Sequence, residues 1–342
     1  MYKILRYAQN DKSLALQVVS IYAVKTLTTP ILVTFTYQQH SMGKHVLLTG
    51  GTGLLGKKLT EALLSKGYAV SHLSRKPGND PRVKIFLWDI HKGIIDEAAV
   101  DGIDTIIHLA GAGIADSRWT DDRKKELIES RTKSIGLIYN LLKSKPNKVN
   151  AVISASATGY YSNRGDELMY EDNQPAHDFL GTCCIEWEKA VDAGEQLGLR
   201  VLKFRTGVVL DKDGGALPQL ALPIKLVVGS PLGDGRAWVP WIHHEDVVAM
   251  YLYGLEHPEL NGAYNMVSPN PVTNKQLTHA VAKQLHRPLW LPNVPAFVLK
   301  LIFGEMSLVV LGSTKASAQK VEDAGFKFKF VKIEDALREI YK

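Results

Sequence analysis

Cysteine is almost absent: of 342 residues only the neighbours Cys183 and Cys184 carry thiols. A vicinal pair excludes a disulfide framework and falls short of a four-ligand zinc site, so a reducing, cytoplasmic location is expected. Long apolar runs are missing too. No segment reaches the ~18 uninterrupted apolar residues of a membrane span. The nearest approach, residues 13–37, is broken by Gln17, Lys25 and Pro30 and shows no clear A-x-A-like cleavage site. No membrane partner is therefore expected. Charge of one sign is scarce: Lys and Arg number 41 against 35 Asp and Glu. Lys3, Arg6, Lys12 and Lys25 against Asp11 alone put half of the net +6 into the first 41 residues. The remainder has no Lys/Arg stripe interleaved with aromatics, so a nucleic-acid partner is not expected either. No metal constellation stands out. The eleven histidines are scattered, and His243 and His244, being adjacent, are expected to diverge on a strand or a helix.

What is present is an ordinary folded composition, 45% hydrophobic and 22% charged. Residues 1–41 have almost no acid and no clean periodicity, and they precede a well-formed strand pattern that starts just after Met42. They read as an extension outside the fold, with Met42 as the natural start. From Lys44 onward, apolar runs at 45–50, 69–75, 84–90, 104–111, 150–156 and 200–210 alternate with helical patterns at 57–67, 122–144 and 183–198. That alternation predicts βαβ units and a doubly wound parallel α/β sheet of the Rossmann type over 44–265. After Asp211 the pattern breaks into Gly and Pro turns, and 211–240 is assigned partly to a substrate lobe. Helical segments at 245–257, 274–286, around 295–311 and at 333–341 follow, and 266–342 reads as a small, mostly helical C-terminal substrate lobe.

The segment Thr49-Gly50-Gly51-Thr52-Gly53-Leu54-Leu55-Gly56 lies between a predicted strand and a predicted helix. Glycines at 50, 53 and 56 permit a tight turn, close approach of the backbone to a pyrophosphate, and close helix–strand packing. The helix N-terminus then offers unpaired N–H groups to the phosphates. Gly50, Thr52, Gly53, Leu54, Leu55 and Gly56 are the expected cofactor contacts. The next strand ends at Ser74-Arg75-Lys76 with no acid for a ribose 2′-hydroxyl, and a guanidinium there suits a 2′-phosphate. Ser74 and Arg75 therefore predict NADP(H) in preference to NAD(H).

With TGGTGLLG, Trp88-Asp89, HLAG at 108–111 and SASATGYY at 154–161, the chain resembles the extended short-chain dehydrogenase/reductases, the NAD(P)-dependent epimerase/dehydratases. More narrowly it is similar to an atypical subgroup, the "epimerase family proteins", which carry a C-terminal domain of unknown function. Further matches are AGIADSRWT (112–120), Ser130-Arg131 with Ser134, DFLGTCCIEWE (178–188), PWIHHEDV (240–247) and GFKFKF (325–330). The resemblance covers residues 44–342. It implies that Asp89 contacts the adenine, that Leu109, Ala110, Gly111 and Ser154 line the cofactor cleft, and that the protein dimerises through the two long helices at 122–144 and 183–198. His108, on a buried strand, reads as a core histidine.

By the same resemblance, hydride chemistry uses a Ser or Thr, then a Tyr and a Lys four residues on. Ser156 falls at the first position. The matching stretch for the pair, 179–188, holds no Tyr and no Lys at that spacing. Tyr160 and Tyr161, just beyond Ser156, are candidate substitutes, as are Asp166, Glu167, Glu171 and Asp172 on the following loop, Glu188 and Lys189 in the next helix, and Arg131 and Lys133 in the preceding one. The reading is an NADP(H)-binding oxidoreductase or epimerase acting on a sugar nucleotide or other small carbonyl compound, with Ser156 polarising the carbonyl. The alternative is a catalytically degenerate NADP(H)-binding sensor or regulatory protein.

Overall fold

The computed structural model describes residues 44–342; the expectations for residues 1–41 lie outside that range. Eight strands form the main sheet: β1 (His45–Thr49), β2 (Ala69–Ser74), β3 (Lys84–Asp89), β4 (Ile94–Ile95), β5 (Thr105–His108), β6 (Ala151–Ala157), β7 (Arg200–Thr206) and β8 (Gly262–Met266). Their order is β8-β7-β6-β5-β1-β2-β3-β4. Every neighbouring pair is parallel except β3–β4. Strand order reverses between β1 and β5, the crevice where doubly wound sheets bind ligands.

The helices are α1 (Leu54–Ser65), α2 (Asp121–Ser144), α3 (Phe179–Asp192), α4 (Ala216–Lys225), α5 (His244–Glu256), α6 (Asn274–Gln284), α7 (Ala296–Phe303) and α8 (Ile333–Ile340), with shorter turns between. Alternation along the strands assigns the two faces. Val46 and Leu48 of β1 pack with Leu59 and Leu63 of α1 and with Val247 and Met250 of α5. Leu47 points the other way, to Ile135 and Ile138 of α2 and Trp187 and Val191 of α3. Strands buried on both faces read as near-continuous apolar runs, as the sequence does here. A third core joins Leu217 and Ile224 of α4, Leu277 and Val281 of α6, and Ile333 and Leu337 of α8 around Trp241.

Two elements depart from expectation. The edge strand β8, Gly-Ala-Tyr-Asn-Met, lacks a β-rich run, and its pairing with β7 is a tertiary choice. Helix α4 forms in a Pro/Gly-rich stretch that reads as turns. Pro218 sits in its first turn, where N–H groups have no intrahelical acceptor, although Pro223 lies inside it.

Candidate functional site

The glycine-rich turn is built for close backbone contact. Gly50 has φ +70°, and its carbonyl accepts from Gly53 N–H at 3.0 Å. A Cβ on Gly56 would stand 2.2 Å from the Gly50 oxygen, and one on Gly51 2.4 Å from the His72 ring. Gly53 caps α1 without a side-chain hydrogen bond, and the first turn holds no acid. The N–H groups of that turn are thus left for an outside acceptor of negative charge. Thr49, unnoticed as a site residue in the sequence, ties the crevice together: its Oγ1 accepts from the N–H groups of Leu109 and Ala110, both at 3.0 Å. These features fit a dinucleotide, whose diphosphate the turn would hold. Gly56→Ala is expected to displace the turn and cut dinucleotide affinity by at least about tenfold, because a backbone oxygen cannot yield as a side chain can. Isothermal titration with NADPH checks this; unchanged affinity contradicts it.

At the end of β2, Ser74 Oγ accepts from Lys76 N–H at 3.2 Å. Arg75 is exposed, and no ion pair engages it among the described residues. Asp89 closes the turn after β3, its Oδ1 accepting from His91 and Lys92 N–H at 3.0 and 3.1 Å. Those bonds hold its carboxyl below the usual range. Thr52, Gly53 and Gly111 are exposed, and Leu54, Leu55, Leu109 and Ala110 half-buried, around the same crevice.

Beneath α3 runs a buried polar row. Ser156 of β6, Arg205 of β7 and Asn265 of β8 are direct register partners, so their side chains share one face. Glu188, from α3, completes the row. Arg205 donates to both of its oxygens at 2.8 and 2.9 Å, and Ser156 donates to Oε1 at 2.7 Å. Burial raises the Glu188 pKa, but the Arg205 hydrogen bonds and charge outweigh it and hold the carboxyl low. An ionised carboxylate only accepts, so the one proton of Ser156 is committed to Glu188. That differs from the expected carbonyl-polarising arrangement.

Tyr161 belongs to the same polar row. It is fully buried, donates to Asn265 Oδ1 at 2.8 Å and accepts from Arg205 at 2.9 Å. Burial pushes its pKa up to about 12. Tyr160 lies over the Arg205 guanidinium, 3.5 Å from ring centroid to Cζ, and stays half-buried. α3 begins at Phe179, with Asp178 accepting from Gly181 N–H at 3.0 Å. Cys184 is buried with its thiol pKa pushed up by desolvation. Asp166 accepts from Trp238 Nε1 at 2.7 Å, and Glu171 from Asn265 N–H at 2.7 Å. Arg131 donates to the Leu127 and Ala112 carbonyls at 2.7 and 3.0 Å, and Lys133 pairs with Glu129. The pairing of Glu188 with Arg205 was not legible in sequence; the only signal was an arginine inside an apolar strand pattern.

Ser154 is fully buried, its Oγ 3.0 Å from His108 Nδ1. Ser134 commits its proton to the Arg131 carbonyl at 2.7 Å and so accepts from His108 Nε2 at 2.8 Å. His108 is thus a neutral core histidine, its pKa lowered to about 3 by burial. A folded-state pKa below the unfolded one gives stability that is present above pH 6.5 and lost as pH falls toward 3. Lowering the pH to about 4.5 is expected to cost about 3 kcal/mol through this residue. Denaturant melts of the native chain and of His108→Gln check this; equal pH dependence in both contradicts it.

His243 and His244 do not diverge. The backbone switches from strand to helix between them, and the rings stack with centroids 4.4 Å apart. With Glu245 they bring ligand-type atoms within 4.8 Å of one another. Part of this cluster is already engaged: His243 Nδ1 accepts from Glu245 N–H at 3.1 Å, His244 Nδ1 lies 3.3 Å from the Leu210 carbonyl oxygen, and Glu245 pairs with Lys329 at 2.6 Å, while the buried His243 Nε2 has no hydrogen-bond partner among the described residues. Asp246 accepts from Lys329 and Phe330 N–H at 2.7 and 3.0 Å, docking the C-terminal segment on α5.

Glycine turn, switch point and strand order together define a dinucleotide-binding sheet, and residues 46–183 match the NAD dependent epimerase/dehydratase family. The chain belongs to that family, within the group called epimerase family proteins. It is 35% identical over 298 residues to epimerase family protein YfhF of Bacillus subtilis, covering 86% of this chain and 97% of that one. Residues 294–340 match a domain of unknown function. Among solved structures, it is similar to human epimerase family protein SDR39U1 with NADPH (28% identity, TM-score 0.76, 87% and 99% of the two chains covered). It is also similar to a nucleoside-diphosphate sugar epimerase from Corynebacterium glutamicum (30% identity, TM-score 0.72), covering 87% of this chain and 58% of that one.

Proposed function

We propose that the protein binds NADP(H) in the crevice between β1 and β5 and is an oxidoreductase of the epimerase class. Its substrate would be a sugar nucleotide or another small carbonyl compound. The observation that carries this reading is the end of β2. Arg75 is exposed, engaged by no carboxylate among the described residues, and flanked by Ser74 with no acid at the ribose position. The turn Gly50–Gly56 would hold the diphosphate, and Arg75 with Ser74 the 2′-phosphate. Bound nicotinamide supplies a hydride. The chain's own groups assigned to that chemistry are Tyr160 and Ser156, the latter presenting lone pairs because its proton is held by Glu188.

The experiment follows reduced-nicotinamide absorbance at stoichiometric protein while sugar nucleotides and small carbonyl compounds are offered. Consumption with one compound supports the reading. Tight NADPH binding with no consumption and no isomerised product supports the second reading, a redox-state sensor. That reading is favoured by one observation: Phe179 and Cys183, or Leu180 and Cys184, stand where a Tyr and a Lys would.

A further inference from the structure

Among the described residues, the most exposed apolar side chains lie on the lobe built from 211–240 and the C-terminal segments. The four most exposed large apolar side chains among the described residues are Leu301, Phe297, Trp290 and Leu226, at 78%, 70%, 67% and 65%. Leu222, Val228 and Ile302 are more than half exposed beside them. The surface is continuous along the backbone. Trp290 Nε1 donates to the Val227 carbonyl at 3.0 Å, seating the indole beside Leu226 and Val228. Val294 N–H donates to Pro231 O, and Gly233 N–H to Val294 O, both at 2.9 Å, so 290–294 runs alongside 227–233 and then leads into α7. Val227 holds φ +61°, a conformation a β-branched residue rarely takes, at the tip of this strip. In α7 only Leu299 is buried.

Within the two segments themselves charge is of one sign, with Asp234 and Glu305 directly after them and Asp213 beside Leu222 and Lys225 in one concavity. Residues 214–233 and 260–304 contain Lys225, Lys275, Lys283, Arg287 and Lys300 and not one Asp or Glu. All five cations are exposed, and none is ion-paired among the described residues, although exposed lysines and arginines elsewhere do form ion pairs. Large apolar side chains exposed together, rather than singly, mark an interaction surface. A second copy is disfavoured, because a two-fold contact through Leu226 and Leu301 would bring the neighbouring Lys225 and Lys300 against their own copies. An exposed Trp and Phe with leucines, rimmed by unpaired cations, is instead the composition of an interfacial membrane surface.

We propose that this lobe docks on an anionic lipid surface, with Leu226, Trp290, Phe297 and Leu301 entering the headgroup–acyl boundary and the five cations meeting lipid phosphates. No spanning segment is involved: among the described residues, no helix is long and apolar enough to cross a membrane. A search for apolar runs misses such a surface because two separate segments assemble it.

Flotation of the full chain with phosphatidylcholine vesicles, and with phosphatidylcholine mixed with an equal part of phosphatidylglycerol, tests the proposal. Binding is expected to the mixed vesicles only, and to fall with added salt. The pairs Phe297→Gln/Leu301→Gln and Lys225→Glu/Lys300→Glu should each weaken it by at least about tenfold. Both should keep the parent's thermal unfolding, since the altered side chains face solvent. Absence of binding to the mixed vesicles, or variants that float like the parent, would overturn the proposal. So would a dimer in sedimentation velocity that Phe297→Gln/Leu301→Gln dissociates.

Discussion

Replacing Arg75 with alanine is expected to weaken NADPH binding by about 10- to 100-fold while leaving NADH within about twofold. The reasoning is differential. Arg75 is exposed and forms no ion pair among the described residues, so its removal breaks no ion pair there. What it removes is a charge-assisted partner for a phosphate that only one of the two dinucleotides carries. Fluorescence titration of the two reduced cofactors against parent and variant measures the split. Equal losses for both would contradict the assignment of Arg75 to the 2′-phosphate.

Arg205→Met should give the largest stability loss of any single substitution named here, about 3–5 kcal/mol, because it strands a buried carboxylate. Glu188 would lose both guanidinium hydrogen bonds and retain Ser156 and the more distant Lys203, at 3.6 Å. For a chain of this size that is a fall in Tm of roughly 10 °C. Adding Glu188→Leu should recover much of it, since an apolar replacement of the whole pair removes the stranded charge. Because the folded-state pKa of Glu188 is held low, the pair's contribution is present above the carboxylate range and lost as pH falls through it. Calorimetry of the single and double variants checks both statements. A single variant melting within about 2 °C of the parent would contradict them.

The parallel sheet was legible because buried strands such as Val46-Leu47-Leu48 alternate with helices of opposite periodicity. The glycine turn was legible because its backbone demands no side chain at Gly51 and Gly56, a constraint that leaves a mark in the sequence. Asp89 shows the limit of that approach. Its acid closes its own turn, and a motif alone cannot separate that local task from a ligand contact. The row Ser156–Arg205–Asn265 with Glu188 was hidden for another reason: register between strands 49 and 60 residues apart brings it together. His243 and His244 were misplaced because periodicity applies within an element, and the pair straddles a strand–helix junction.

The central claim is that the crevice between β1 and β5 takes NADP(H). Isothermal titration of the unmodified protein with NADPH and, separately, NADH tests it most directly. The account predicts saturable one-to-one binding of NADPH, at least about tenfold tighter than NADH. Equal affinity for the two would contradict the preference, and no binding of either would contradict the site.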